Sequence, residues 1–145
     1  MIKLERNKSG ILCAWDEHEN ASKNKSRIEK LEGWDFSAYV NHYMPELMMF
    51  HVANEGAFSV QHRSSLSRSG LRPGASDYVI LHSTMHGHSF ALIELKRSRK
   101  RDSSISAEQV DFLAHGELQG GFCCVAYGAK SAIAIANLLY RGIQL

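Results

Sequence analysis

Two short apolar runs, each bounded by charge, constrain this chain more than any other feature. Asp77 opens Tyr78-Val79-Ile80-Leu81, and Glu94-Leu95-Lys96 closes Phe90-Ala91-Leu92-Ile93. Short apolar runs of this kind, bounded by turn signals, read as buried strands. The link between them turns near Gly87, so the pair is expected to be antiparallel. In such a pair the start of the first strand lies beside the end of the second. One sheet edge therefore receives Asp77 and Glu94 together. Glu94 and Lys96 are two apart, which puts both side chains on one face of the strand and sends Leu95 the other way, into the core.

The flanking segments supply layers around that pair. Phe36, Tyr39, Val40 and Tyr43 recur at three- and four-residue steps, predicting a helix from Trp34 that stops before Pro45. Residues 47–52 are almost all apolar and read as a central strand of a covered sheet, broken by Asn54-Glu55-Gly56. Residues 57–76 mix Ser and Arg, with a short helix stopping at Gly70, and Pro73-Gly74 marks a turn. Ser106 with Gln109 three residues on has the capping-box pattern and predicts a helix to about His115. Residues 122–127 predict a further buried strand, and the Ala- and Leu-rich stretch 129–140 a helix. The sum is an α/β domain with a small mixed β-sheet flanked by α-helices. Residues 1–33 are the least patterned. Ile11 to Trp15 is an apolar patch without period, and residues 16–32 are highly charged, with Ile28 and Leu31 at helical spacing. They are expected to form an N-terminal extension, helical or dimer-associated, ahead of a domain at 34–145.

Composition sets wider bounds. A chain of 145 residues is one domain by default, and 44% hydrophobic content excludes a disordered one. The net charge of +2 says little about partners. Cys13, Cys123 and Cys124 give neither a disulfide framework nor a CxxC metal site, which fits a reducing compartment. The charged start lacks the apolar core of a signal peptide, and no apolar run approaches the roughly 18 residues of a spanning helix. The expected location is the cytoplasm, away from membranes.

Carboxylates converging at a sheet edge suit a hard divalent cation that prefers oxygen ligands. The carbonyl of Leu95 offers a further oxygen, and Glu55 a further carboxylate. Such an ion polarises a phosphoryl group and lowers the pKa of its water. Lys96 can steady the attacking water or the charge developing on phosphate oxygens. Phosphodiester hydrolysis is the reaction this set suits, although Glu-x-Lys at a strand end is often only a solvated charge pair. Lys96-Arg97-Ser98-Arg99-Lys100-Arg101 places five cations within six residues, with Arg63, Arg68, Arg72 and His51 approaching from the other side in sequence. Phosphate neutralisation by such residues supports DNA binding; a solvated basic face is the plainer reading. Nothing resembles a base-reading helix or finger, so backbone or shape recognition is expected. His82, His86 and His88 form a loose zinc-like pattern at the far end of the hairpin and read as a solvated turn. Met44, Met48, Met49, Trp34 and Phe36 read as core or dimer surface.

Four segments taken in order carry a resemblance. They are His51-Val52-Ala53-Asn54-Glu55-Gly56, then Gly70-Leu71-Arg72-Pro73-Gly74-Ala75-Ser76-Asp77, then Ile93-Glu94-Leu95-Lys96, then Ser106-Ala107-Glu108-Gln109. From about Trp34 to Leu139 the chain resembles the virus-type replication-repair nuclease (VRR-NUC) domain, a branch of the PD-(D/E)xK nucleases. The resemblance implies a restriction-endonuclease-like core and Mg²⁺ or Mn²⁺ as cofactor. It implies Asp77 and Glu94 as metal ligands, Lys96 as the catalytic lysine, Gln109 as the glutamine near the active site and Glu55 as the acid of the Asn-Glu element. It also implies a glutamate on the first helix, for which Glu29, Glu32 and Asp35 compete. Short stand-alone members are similar to Holliday-junction resolvases that act as homodimers, often from phages. That points to four-way or other branched DNA, to recombination and repair, and to the host cytoplasm for a phage-encoded chain. Ser76 before Asp77, and Ala107 where proline is frequent, depart from the family pattern without removing a working group. Two other expectations stand beside the resolvase: a flap or other structure-specific nuclease, and a non-catalytic DNA-binding or assembly module.

Overall fold

The computed structural model describes residues 1–53, 59–82, 85–143 and 145. Its strands are β1 (Ile2–Arg6), β2 (Leu12–Asp16), β3 (Met48–His51), β4 (Tyr78–Leu81), β5 (Ala91–Lys96) and β6 (Phe122–Tyr127). Its helices are α1 (Glu17–Ala21), α2 (Glu29–Tyr43), α3 (Val60–Arg68), α4 (Ala107–Leu118) and α5 (Ala129–Arg141). The strands form one sheet in the order β1-β2-β6-β5-β4-β3. The β2–β6 and β6–β5 pairs are parallel, and β1–β2, β5–β4 and β4–β3 are antiparallel. This is a small mixed sheet flanked by helices, consistent with a restriction-endonuclease-like core.

Strand β5 organises both layers. All six of its residues are buried, as a central strand covered on both faces requires. Its pleat sends Ala91, Ile93 and Leu95 into the larger core, beneath α2 and α5, with Phe36, Val40, Ile135 and Leu139. Leu92 points into the smaller core beneath α4, with Leu113, Cys123 and Val125. Glu94 and Lys96 continue that second row, so the pleat that buries Leu92 also carries both charged groups toward α4.

Helix α5 begins at Gly128 (φ +86°), which has no side chain to cap it. A glutamate from α2 does the work instead: Ala129 N–H donates to Glu32 Oε2 at 2.7 Å. Arg27 holds that carboxylate in a two-pronged grip at 3.0 and 3.1 Å. An acid at an orphaned helix N-terminus is favourable on both hydrogen-bond and dipole grounds. Glu32→Ala is expected to lower stability by about 2 kcal/mol, because a buried N–H loses its acceptor. A urea unfolding midpoint equal to that of the parent would contradict this.

Three expectations change. Residues 1–33 build β1, β2, α1 and the first turn of α2, so a boundary at 33/34 falls inside a helix. The patch around Ile11 to Trp15 is β2, paired laterally with β6 and buried on its two faces by the two cores, Ala14 in one and Ile11 and Cys13 in the other, which removes any alternating pattern. Strand β3 is the sheet's edge rather than its centre, with Met48 and Phe50 exposed. The histidine group is dispersed: His82 packs on Tyr140 and His88 on Phe122.

Candidate metal centre

Three elements bring carboxylates to one point. Asp77 lies one residue before β4, where the register Tyr78↔Ile93 places it opposite Glu94. Its carbonyl accepts from Val52 N–H and its Oδ2 from Leu95 N–H, each at 2.8 Å, which fixes the side chain against the end of β5. Glu29 opens α2 and arrives from the other layer. Glu29, Asp77 and Glu94 each offer a carboxylate oxygen, and these three oxygens all lie within 4.8 Å of one another. Among the described residues this is the one group of three or more acidic, histidine or cysteine side chains spaced to hold a metal ion.

The first-helix acid is thereby separated from its competitors. Glu32 is turned inward to cap α5, and Asp35 pairs with Arg27 at 2.5 Å. Glu29 alone of the three reaches the cluster. Spacing in the sequence could not separate them, because nothing in residues 16–32 sets a burial period.

Glu94 is 1% exposed. Its Oε1 accepts from Gln109 Nε2 at 2.7 Å and lies 3.4 Å from Lys96 Nζ. Its Oε2 is buried and accepts no hydrogen bond. Burial, then the Asp77 charge, push its carboxyl up to about 8, with Lys96 pulling the other way. A buried acceptor without a donor, set among two more carboxylates, is a poor arrangement for the protein alone. A divalent cation with oxygen preference resolves both the orphaned lone pairs and the mutual repulsion. The residues present therefore fit such an ion.

Gln109 ties the cluster to α4. Ser106 Oγ accepts from Gln109 N–H at 3.2 Å, and Ser106 N–H donates to Gln109 Oε1 at 2.9 Å, completing the capping box. Lys96 Nζ donates to that same Oε1 at 3.2 Å. One amide thus caps a helix, orients Glu94 and steadies Lys96.

The remaining expected residues are placed as follows. Asn54 and Glu55 lie outside the described residues. Arg63 and Arg68 are exposed on α3. Arg72 lies over the Phe112 ring at 5.3 Å and beside His115 Nδ1 at 3.1 Å. His51 packs against the Tyr78 ring and lines the cleft beside Asp77. The run after β5 is turned inward. Arg99 is 8% exposed, forks onto Asp102 with two bonds of 2.7 Å, and donates to the carbonyls of Ser22 and Lys23. That grip holds the Asp102 carboxyl well below the usual carboxylate range. Arg97 donates to the carbonyls of Ser26 and Arg27, and Arg101 to those of Asn20 and Ser22. Lys100 sits over the Trp15 ring at 3.6 Å. The three arginines fasten residues 20–27 to the segment after β5, and Lys100 packs on β2. Arg99 makes four hydrogen bonds inside the fold.

A solved structure described as a VRR_NUC domain protein superimposes on this chain with a TM-score of 0.68, at 14% sequence identity, covering 81% of this chain and 92% of that one. The chain shares that protein's fold. No family model matches the sequence, and no curated protein does. No helix among the described residues is long and apolar enough to cross a membrane.

Proposed function

We propose that this chain is a divalent-metal-dependent endodeoxyribonuclease. The observation that carries the reading is the meeting of Glu29, Asp77 and Glu94 within 4.8 Å, with Lys96 3.4 Å from Glu94. The fold shared with a VRR_NUC domain protein supports it. Glu29, Asp77 and Glu94 would hold Mg²⁺ or Mn²⁺, and the carbonyl of Leu95 is the proposed backbone ligand. When bound, the ion supplies Lewis acidity toward a phosphodiester and lowers the pKa of its water. Lys96 Nζ donates to a non-bridging phosphate oxygen and offsets the charge that develops there. Gln109 keeps Glu94 and Lys96 in register. Asp77 is held by the β5 backbone and so brings a preset ligand direction. Arg63, Arg68, Arg72 and His51 are proposed to meet the DNA backbone, and Glu55 to act beside the cluster.

The finer reading is cleavage of branched DNA, a four-way junction above all, by a homodimer. It rests on the resemblance of the four sequence segments to short resolvase-like members. Paired symmetric cuts require two sites related by a two-fold axis.

The test offers Mg²⁺ or Mn²⁺ with four-way junction, flap, nicked duplex and single strand, on the parent and on Asp77→Ala and Lys96→Ala, with mass measured in solution. Metal-dependent cutting that both variants lose is expected, with paired incisions on the junction. Preference for the flap would move the substrate without moving the chemistry. No cutting of any DNA would leave a non-catalytic DNA-binding or assembly module. Gln109→Ala is expected to lower cleavage by about 10- to 100-fold, the usual effect of removing a group that orients a metal ligand. It should also lower stability by about 1 kcal/mol through the lost half of the capping box. Unchanged cleavage at saturating metal would remove its positioning role.

A further inference from the structure

Two of the three carboxylates, Glu29 and Asp77, line a cleft of about 850 Å³ between α2 and β3. Along α2 its lining residues recur every four positions as Glu29, Gly33, Ser37 and Asn41, with Lys30 and Trp34 on the flank. The middle of that row is small, so the cleft stays open over ~18 Å of helix, at 1.5 Å per residue. Tyr78 forms part of its lining, its hydroxyl donating to Gly33 O at 3.2 Å; a Cβ at position 33 would sit 2.8 Å from that hydroxyl. Strand β3 lines the opposite side with Met49 and His51. Asp77, Lys96 and Glu29 close one end.

Trp34 is 60% exposed in this cleft, although tryptophan is among the costliest side chains to leave in water. Lys30 Nζ lies 5.3 Å from the centre of its ring. An exposed indole, a lysine and a histidine beside a phosphate-cutting centre match what recognises unpaired nucleotides: bases stack on aromatic rings while cations track the backbone. Size argues the same way. A half-open cleft of about 850 Å³ has room for a ligand of nucleotide dimensions.

We infer that the α2–β3 cleft receives an unpaired nucleotide flanking the scissile phosphate, its base stacked on Trp34 and its phosphates facing Lys30 and His51. The inference rests on the nuclease reading and, because the arms of a four-way junction are fully paired, it favours a fork or flap with an unpaired base next to the cut over the junction.

The experiment uses a forked DNA with 2-aminopurine at the first unpaired position, and a fully paired duplex of the same sequence. Binding is measured with Ca²⁺ and cutting with Mg²⁺, on the parent, Trp34→Ala and Trp34→Phe. The parent should bind the fork about tenfold more tightly than the duplex and quench the probe. Trp34→Ala should lose that margin and the quench, and Trp34→Phe should keep most of both; tenfold corresponds to about 1.4 kcal/mol, within the range of one base–aromatic stack. Equal affinity for fork and duplex, an unaffected Trp34→Ala, or no binding at all would overturn the inference. So would a Trp34→Ala protein whose solution mass falls, since the surface would then be a contact between copies. Cutting that persists while fork preference is absent rejects this inference and spares the nuclease reading. Trp34-dependent fork binding without cutting under Mg²⁺ or Mn²⁺ does the reverse.

Discussion

Glu94→Gln is expected to lower metal-dependent cleavage by about a thousandfold while leaving the metal-free protein at least as stable as the parent near pH 8. The two halves have one cause. Glutamine keeps the shape of the side chain but cannot serve as an anionic ligand, and losing about 4 kcal/mol of transition-state stabilisation is about three powers of ten in rate. Without metal, the same carboxylate is a burden. It is buried beside Asp77, and its carboxyl is pushed up to about 8 from an ordinary 4.5. Between those two values the folded state keeps a proton that the unfolded chain has released. Stability therefore falls as pH rises from about 4.5 through about 8, and levels off above. Glutamine removes that slope. Denaturant midpoints of both proteins at pH 5, 6, 7 and 8, with EDTA and with Mg²⁺, test the claim. The parent should weaken with pH in EDTA and recover with Mg²⁺; the variant should do neither. Metal binding should also release close to one proton at pH 7 and tighten as pH rises toward 8. A flat profile for the parent would remove the argument from burial, and a Glu94→Gln enzyme within tenfold of the parent would remove Glu94 as a ligand.

What sequence could foretell here depended on whether a residue's environment was local or distant. The meeting of Asp77 with Glu94 followed from two adjacent strands and the alternation of side chains, both local facts. The capping box at Ser106 and Gln109 was likewise visible, since four residues contain it whole. The bounds of β6 followed from an uninterrupted apolar run between Gly121 and Gly128. Glu29 was legible only as one of three acids. Choosing it needed Arg27 and the bare N-terminus of α5, the latter about a hundred residues away, because these engage the other two. The basic run after β5 shows the same blindness in reverse. Arginines that grip carbonyls and arginines that grip phosphates look alike in a sequence. One clue was present: Asp102 stands three residues after Arg99, at the spacing of a local ion pair. Strand β3 misled because apolar content does not count partners. Its Met48 and Phe50 are apolar yet face outward at the sheet edge.

Gly74→Ala is expected to cost about 3–4 kcal/mol of stability and to disturb the metal centre without touching a ligand. Gly74 has φ +79°, where an L side chain carries a penalty of about 1–2 kcal/mol. The larger part is steric. A Cβ there would lie 2.3 Å from both the carbonyl carbon and oxygen of Glu108, and 2.7 Å from Gln109 N. These are backbone atoms of the first turn of α4, so no side chain can swing aside, and overpacking of this kind adds about 1–3 kcal/mol. The first turn of α4 must retreat, and it carries the amide that holds Glu94 at 2.7 Å and Lys96 at 3.2 Å. Gly10 supplies the control, because it has the same φ of +79° and nothing within 4 Å of an added Cβ. Gly10→Ala should therefore show the conformational penalty alone, and the difference between the two variants isolates the clash. Both are read by urea unfolding, and cleavage is then compared at a temperature where each is folded. Gly10→Ala should cut like the parent and Gly74→Ala about tenfold more slowly or worse, as for other losses of ligand orientation. Equal stability losses in the two variants would mean that the Pro73-Gly74 turn does not press on α4. Normal cleavage by a folded Gly74→Ala protein would mean that the placement of Gln109 does not govern the centre.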